Sequence, residues 1–138
     1  MERYNAMSQI DELARLDRRH LAQMTGGDAD LAAEVIGIFR HQADVWGRLL
    51  KAREPAETWA DAAHSLKGAA LGIGAVRLAK VCGQAETLGR SGSVSPAAAA
   101  VALDDVRSEL AETLEAAAAV AHELAGSAVF KASNASNS

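Results

Sequence analysis

Residues 59–73 have the sequence WADAAHSLKGAALGI, and this stretch decides the fold. An α-helix turns by about 100° per residue, so most apolar side chains of the stretch fall within about 60° of Trp59. These residues are Trp59, Ala62, Ala63, Leu66, Ala70 and Ile73. His64 lies about 140° away from Trp59 on the same helix. The pattern therefore predicts an amphipathic helix that buries its tryptophan face and exposes a histidine.

Capping and breaking residues predict further helices on both sides of this one. Asp17 is suited to cap a short helix, and Asp28 or Asp30 to cap the next. Proline at position 55 or 96 fits a first helical turn, where its missing N–H is harmless. The predicted helices cover residues 18–24, 29–53, 55–71, 75–90 and 96–126, the last closed by Gly126.

The long predicted helices are joined by short loops, which favours an antiparallel up-down-up-down four-helix bundle with an additional short N-terminal helix. Within this all-α fold, the second helix presents a mostly apolar stripe. Its members are Leu31, Val35, Ile38, Phe39, Val45, Trp46 and Leu49. Residues 17–126 are expected to form the bundle domain, residues 1–16 an extension with a weak helical pattern, and residues 127–138 a flexible tail.

Composition supports the helical prediction and excludes several functions. Alanine is abundant, aromatic residues make up only 4% and long β-branched runs are missing. The net charge of −4 disfavours nucleic acid as a partner. No run of about 18 apolar residues could span a membrane, and no apolar signal core follows Met1. Cys82 is the single cysteine, so we expect a cytoplasmic chain without an internal disulfide or a cysteine zinc site.

His64, Lys67 and Gly68 form the candidate site. A neutral imidazole nitrogen is a competent nucleophile near neutral pH. Lys67 and Gly68, at i+3 and i+4, lie one turn along on the same face. Lys67 offers positive charge to phosphoryl oxygens, and a glycine costing up to about 1 kcal/mol in mid-helix indicates close approach by another molecule.

The fourth helix adds secondary candidates. With Leu78 as reference, Val81, Cys82, Ala85 and Leu88 are expected to face the core. A second stripe contains Ala79, Gly83, Glu86 and Arg90. If this stripe lies on the histidine side, Ala79 and Gly83 keep the surface open, and either Glu86 or Gln84 orients the ring. Arg90 either adds positive charge there or pairs with Glu86 as a surface i,i+4 salt bridge.

These residues together resemble the histidine-containing phosphotransfer (HPt) family. The resemblance rests on the run from Ala63 to Ala70, AHSLKGAA, and on matching residues at both sides of this run. The later matching residues are Ile73-Gly74-Ala75, Leu78-Ala79, Cys82 and Glu86, and the upstream ones are Leu21, Gly26-Gly27-Asp28, Leu31, Glu34-Val35 and Phe39. The resemblance covers roughly residues 17–90.

The resemblance implies a function in two-component phosphorelays. His64 would accept a phosphoryl group from the aspartate of a receiver domain, such as that of a hybrid histidine kinase. The group would be held on the ring nitrogen away from the backbone and then passed to the receiver of a response regulator. A magnesium ion on the partner receiver would assist, and this chain would need no cofactor of its own. Lys67 would support the phosphoryl group and Gly68 would clear the docking surface. Some family members have glutamine where this chain has Glu86.

The chain itself lacks a Walker-type loop, so we expect a stoichiometric carrier, monomeric and without kinase activity. Two alternatives remain open from the residues. A helical adaptor would have the fold without the phosphorylation. A metal-binding bundle would need Glu-x-x-His motifs pointing inward, whereas this chain offers only Asp17-x-x-His20 and Asp61-x-x-His64.

Overall fold

A computed structural model describes the backbone of residues 15–137 and the side chains of residues 15–126. Its helices are α1 (Arg18–Thr25), α2 (Ala29–Gly47), α3 (Ala56–Gly72), α4 (Val76–Gly89) and α5 (Pro96–Asn137). No strand occurs in this described backbone. Most of the predicted extension, residues 1–14, lies outside the described residues.

The predicted capping residues stabilise the starts of the first two helices. The Asp17 carboxylate accepts from the backbone N–H groups of Arg19 at 3.0 Å and His20 at 3.1 Å. Asp28, rather than the alternative Asp30, caps α2 and accepts from the N–H of Leu31 at 3.2 Å. Each carboxylate satisfies donors that a helix start leaves unpaired.

The four long helices form the predicted bundle, with α1 as the additional short helix. Each long helix packs against two neighbours: α3 against α2 and α4, and α5 against α2 and α4. Large side chains fill the centre, including Phe39, Trp59 and Leu103, each at most 1% exposed. Alanines at positions such as 63 and 85 are fully buried and let the helices approach closely.

Two predicted helix ends are wrong. Helix α2 ends at Gly47 and not at Arg53, because the chain turns inward to bury Leu50 completely. Arg107 of α5 donates to the Leu50 carbonyl, which a continuing helix would use internally. Gly126 does not close α5, whose backbone is helical to Asn137. Gly126 is not among the glycines with positive φ, and a glycine inside an alanine-rich helix costs only about 1 kcal/mol.

The buried stripe of α2 also differs from the predicted one. Leu31, Ile38 and Val45 are 42%, 59% and 42% exposed. Besides the predicted Phe39, the residues of α2 that enter the core are Ala32, Ile36 and Ala43. Small alanines let α2 pack closely, and larger aliphatic side chains remain on the surface as a consequence.

None of the helices in the part of the chain described here combines the length and the apolar character needed to cross a membrane.

Candidate functional site

Helix α3 presents His64 on its outer side, as its period predicts. On the opposite side, Trp59 and Leu66, and Ile73 directly after the helix, are at most 1% exposed, whereas the His64 side chain is 66% exposed. The ring therefore stands on the convex surface of the bundle, where another folded protein can reach it.

Glu86 of α4 approaches the inner edge of this ring. Its Oε2 lies 2.9 Å from Nδ1 of His64, and the Glu86 side chain is only 18% exposed. A carboxylate at this distance favours a proton on Nδ1 and leaves Nε2 with its lone pair. Gln84, the alternative orienting residue, is exposed and lines a shallow groove with Lys80 and Thr87. The structure thus brings Glu86, and not Gln84, to the histidine.

Arg90 joins the two helices beneath the histidine. Its Nη2 donates to Oδ1 of Asp61 at 2.7 Å, and its Nε lies 3.5 Å from Oε2 of Glu86. The hydrogen bond to Asp61 is the main cause that raises the pKa of Arg90, and the charges of Asp61 and Glu86 add to it. Arg90 therefore combines the two roles that the sequence offered as alternatives: it pairs with Glu86 at i,i+4, and it brings a cation near the site. Asp61 was not foreseen as a site residue, because a contact between helices leaves no local pattern.

Lys67 lies one turn after His64 and packs its side chain over Gly83 of α4. A Cβ atom on residue 83 would lie 3.7 Å from Nζ and 3.8 Å from Cδ and Cε of Lys67. No salt bridge to Lys67 occurs within the described side chains. Gly83 thus provides the surface on which an unneutralised ammonium group rests beside the histidine.

Gly68 is exposed, and a Cβ atom built on it would meet nothing within 4 Å. Packing inside the chain therefore does not require this glycine. Gly68 borders a mostly apolar groove of about 630 Å³ between α2 and α3. The other lining residues are Met24, Val35, Ile38, Phe39, Gln42, Trp46, Ser65, Ala69, Gly72 and Ile73.

Ala79 does not have the expected role of keeping the surface open. It is only 5% exposed and belongs to the core with Leu78, Cys82 and Ala85. Val81 and Leu88, predicted to face the core, are only partly buried. Helix α4 is rotated so that small residues face α3, which the larger apolar side chains would not permit.

Cys82 lies in the core near the site. Burial raises the pKa of its thiol to about 12, against the smaller opposite effect of the Lys67 charge. Among the side chains at positions 15–126, no group of three or more His, Cys, Asp or Glu residues could hold a metal ion. Asp61, part of the Asp-x-x-His pattern, is engaged by Arg90.

Comparison with known proteins identifies the family of this chain. The Hpt domain family matches residues 29–119, and the chain belongs to this family of phosphorelay carriers. It is similar to the histidine phosphotransferase ShpA from Caulobacter crescentus, with 36% identity and a TM-score of 0.67. That similarity covers 83% of this chain and 98% of the other. No curated protein sequence matches. HPt proteins are phosphotransfer carriers rather than kinases and interact with receiver domains and histidine kinases.

Proposed function

We propose that His64 accepts a phosphoryl group from the aspartyl phosphate of one receiver domain and passes it to the aspartate of another. Nε2 attacks phosphorus, the bond from phosphorus to the aspartate oxygen breaks, and the electron pair leaves with the carboxylate. The second transfer reverses these roles on a new receiver. The observation that carries the proposal is the 66% exposed ring whose Nδ1 lies 2.9 Å from Glu86.

The surroundings of His64 support transfer between proteins. Phosphoryl transfer depends mainly on positioning and on stabilising charge. Lys67 supplies a cation one turn from the ring, and its resting place on Gly83 keeps it on the same side of the bundle. The receiver would bring the magnesium ion. This chain acts as a stoichiometric, monomeric carrier without ATP-dependent kinase activity.

The groove between α2 and α3 supports docking of a receiver beside the histidine. It begins at Gly68 and is bordered by the exposed Met24 and Ile38, which are 45% and 59% accessible. An apolar surface next to the reactive ring would bind a partner by excluding water. Gly68, without a side chain, lets the partner's surface reach the helix backbone.

Transfer of radiolabel from a phosphorylated receiver domain tests the proposal. Wild-type protein should take up label, and His64→Gln should take up none. His122→Gln is the matched control, because His122 is also an exposed histidine on a helix. Undiminished labelling of His64→Gln would refute the site. Receiver binding without any labelling of the wild type would instead favour the adaptor alternative.

The direction of transfer needs a second measurement. Labelled protein should be mixed with each receiver domain of the host, including that of a hybrid histidine kinase. The donor and acceptor are the receivers that exchange label with His64 within seconds, and a set without any such receiver would contradict the relay.

A further inference from the structure

Four side chains form a chain of contacts that bridges α3 and α4. Oε2 of Glu86 lies 2.9 Å from Nδ1 of His64 and 3.5 Å from Nε of Arg90. Arg90 in turn donates to Asp61 at 2.7 Å. Asp61 precedes His64 by three residues, so the two occupy neighbouring positions on the same helix face. The arrangement therefore begins and ends on α3.

The backbone packing brings Arg90 to Asp61. Gly89, immediately before Arg90, approaches Trp59 and Ala60 so closely that a Cβ atom on it would lie 2.7 Å from the indole. Ala60 is the residue immediately before Asp61. The close contact of the two helices thus places the guanidinium beside the Asp61 carboxylate and 3.5 Å from Oε2 of Glu86.

The charges that face His64 come from both helices of this pair. Glu86 lies on α4 and Arg90 directly follows that helix, while Asp61 and Lys67 lie on α3. The α2 side chains that line the groove beside Ser65 are all uncharged: Val35, Ile38, Phe39, Gln42 and Trp46. Glu86 is the carboxylate within hydrogen-bond distance of the ring, at 2.9 Å from Nδ1, and Nε of Arg90 lies 3.5 Å from the same carboxylate oxygen.

We propose that Asp61 is a positioning residue: by holding Arg90 it keeps Glu86 under the ring, so that the proton of neutral His64 stays on Nδ1. The proposal rests on the role of His64 as phosphoacceptor. In a neutral imidazole one nitrogen carries the proton and the other has the lone pair, and the hydrogen-bond partner selects between them. Fixing the proton on Nδ1 keeps Nε2 ready to attack phosphorus.

The same proton assists the return transfer. When the receiver aspartate attacks phosphorus, the bond between phosphorus and Nε2 breaks and its electron pair returns to Nε2. Because Nδ1 already carries a proton, His64 leaves as a neutral imidazole instead of an imidazolate anion. Glu86 favours this protonated form, and Asp61 acts on the step only through Arg90 and Glu86.

The test is ¹⁵N NMR of the His64 ring in the unphosphorylated protein, with the signal assigned by its loss in His64→Gln. Wild-type protein should show the proton on Nδ1. Asp61→Asn should add a population with the proton on Nε2, and Asp61→Glu should restore most of the wild-type state. Asp44→Asn is the matched control, because Asp44 forms a comparable 2.8 Å pair with Arg48 on the α2 side of the bundle.

Transfer kinetics give the functional part of the test. Asp61→Asn should slow transfer to a receiver by up to about fivefold, as expected when a largely exposed ion pair is lost, and Asp44→Asn should not. An unchanged ring tautomer in Asp61→Asn would overturn the proposal. If the wild type took no label from any receiver but Asp61→Asn still altered the tautomer, the carrier function would fail and the positioning role would stand.

Discussion

Gly89 of α4 lies against Trp59 of α3 so closely that a Cβ atom on residue 89 would be 2.7 Å from Cζ3 of the indole and 2.8 Å from Cβ of Ala60. Trp59 is 1% exposed and cannot move outward. This contact sets the distance between the two helices that carry the candidate site. It also explains why a glycine occupies the last turn of α4.

Gly89→Ala should therefore destabilise the protein by about 1–3 kcal/mol, because the added methyl group overpacks a rigid contact. Urea unfolding followed by circular dichroism measures the loss. Gly37→Ala is the control, since a Cβ atom at this exposed position in α2 meets nothing within 4 Å. It should stabilise by about 0.5–1 kcal/mol. Equal stability of Gly89→Ala and wild type would contradict the close packing described.

Gly68→Gln should block receiver docking while leaving stability unchanged or slightly higher. The new side chain has free space inside the chain but would project into the path of a partner. Binding to a receiver domain, measured by calorimetry, should fall at least about tenfold if the interface cannot close around a buried polar group. Gly37→Gln should bind normally. Normal transfer by Gly68→Gln would remove the argument for docking at this groove.

Lys67→Ala should slow phosphoryl transfer without unfolding the protein. In the proposed transfer, the ammonium group would stabilise negative charge on the transferring group. The Lys67 side chain is only partly buried, so its removal leaves the core intact. A decrease of about tenfold in the single-turnover rate is expected, corresponding to about 1.4 kcal/mol. Lys80→Ala, on the exposed side of α4, serves as control. An unaltered rate in Lys67→Ala would show that this cation has no role in the transfer.

Cys82 should make stability fall at alkaline pH. The folded protein holds the thiol pKa at about 12, against an ordinary value of 9.0. Above about pH 9 the unfolded chain therefore loses a proton that the folded chain keeps. The stabilisation linked to the protonated, buried thiol is fully present below pH 9 and is lost as the pH rises towards 12. Over this range the free energy of unfolding falls with a limiting slope of about 1.4 kcal/mol per pH unit.

The measurement is the free energy of unfolding from pH 8 to 11 for wild type and Cys82→Ala. The difference between the two should narrow as the pH rises, since the variant lacks this ionisation. Parallel curves would contradict the raised thiol pKa. In the same range, a thiol reagent should modify Cys82 only as fast as the chain unfolds, because the side chain is fully buried.

Local patterns predicted much of this structure. The period of residues 59–73 placed Trp59 inside and His64 outside, and Asp17 and Asp28 cap helices as their positions suggest. Features set by contacts between distant segments were missed. The end of α2 depends on the burial of Leu50.

The site shows the same division. The positions of His64, Lys67 and Gly68 on one helix face could be predicted from the helical period alone. Choosing between Glu86 and Gln84 as the residue beside the ring required the rotation of α4 about its axis, which the period does not give. Ala79 was assigned to a second, outer stripe because it lies about 100° from Leu78 around the helix. It is buried instead, since close helix packing favours a small residue there. Asp61 could not be found from spacing, since its partner Arg90 lies 29 residues away.

The contact of Lys67 with Gly83 makes the candidate site depend on the alignment of α3 and α4. A slide of α4 by one residue would displace it by about 1.5 Å along its axis and turn it by about 100°. The support under the ammonium group and the carboxylate beside the imidazole would then be lost together. Phosphoryl transfer should therefore depend on the register of these two helices. We expect it to be lost before the bundle unfolds.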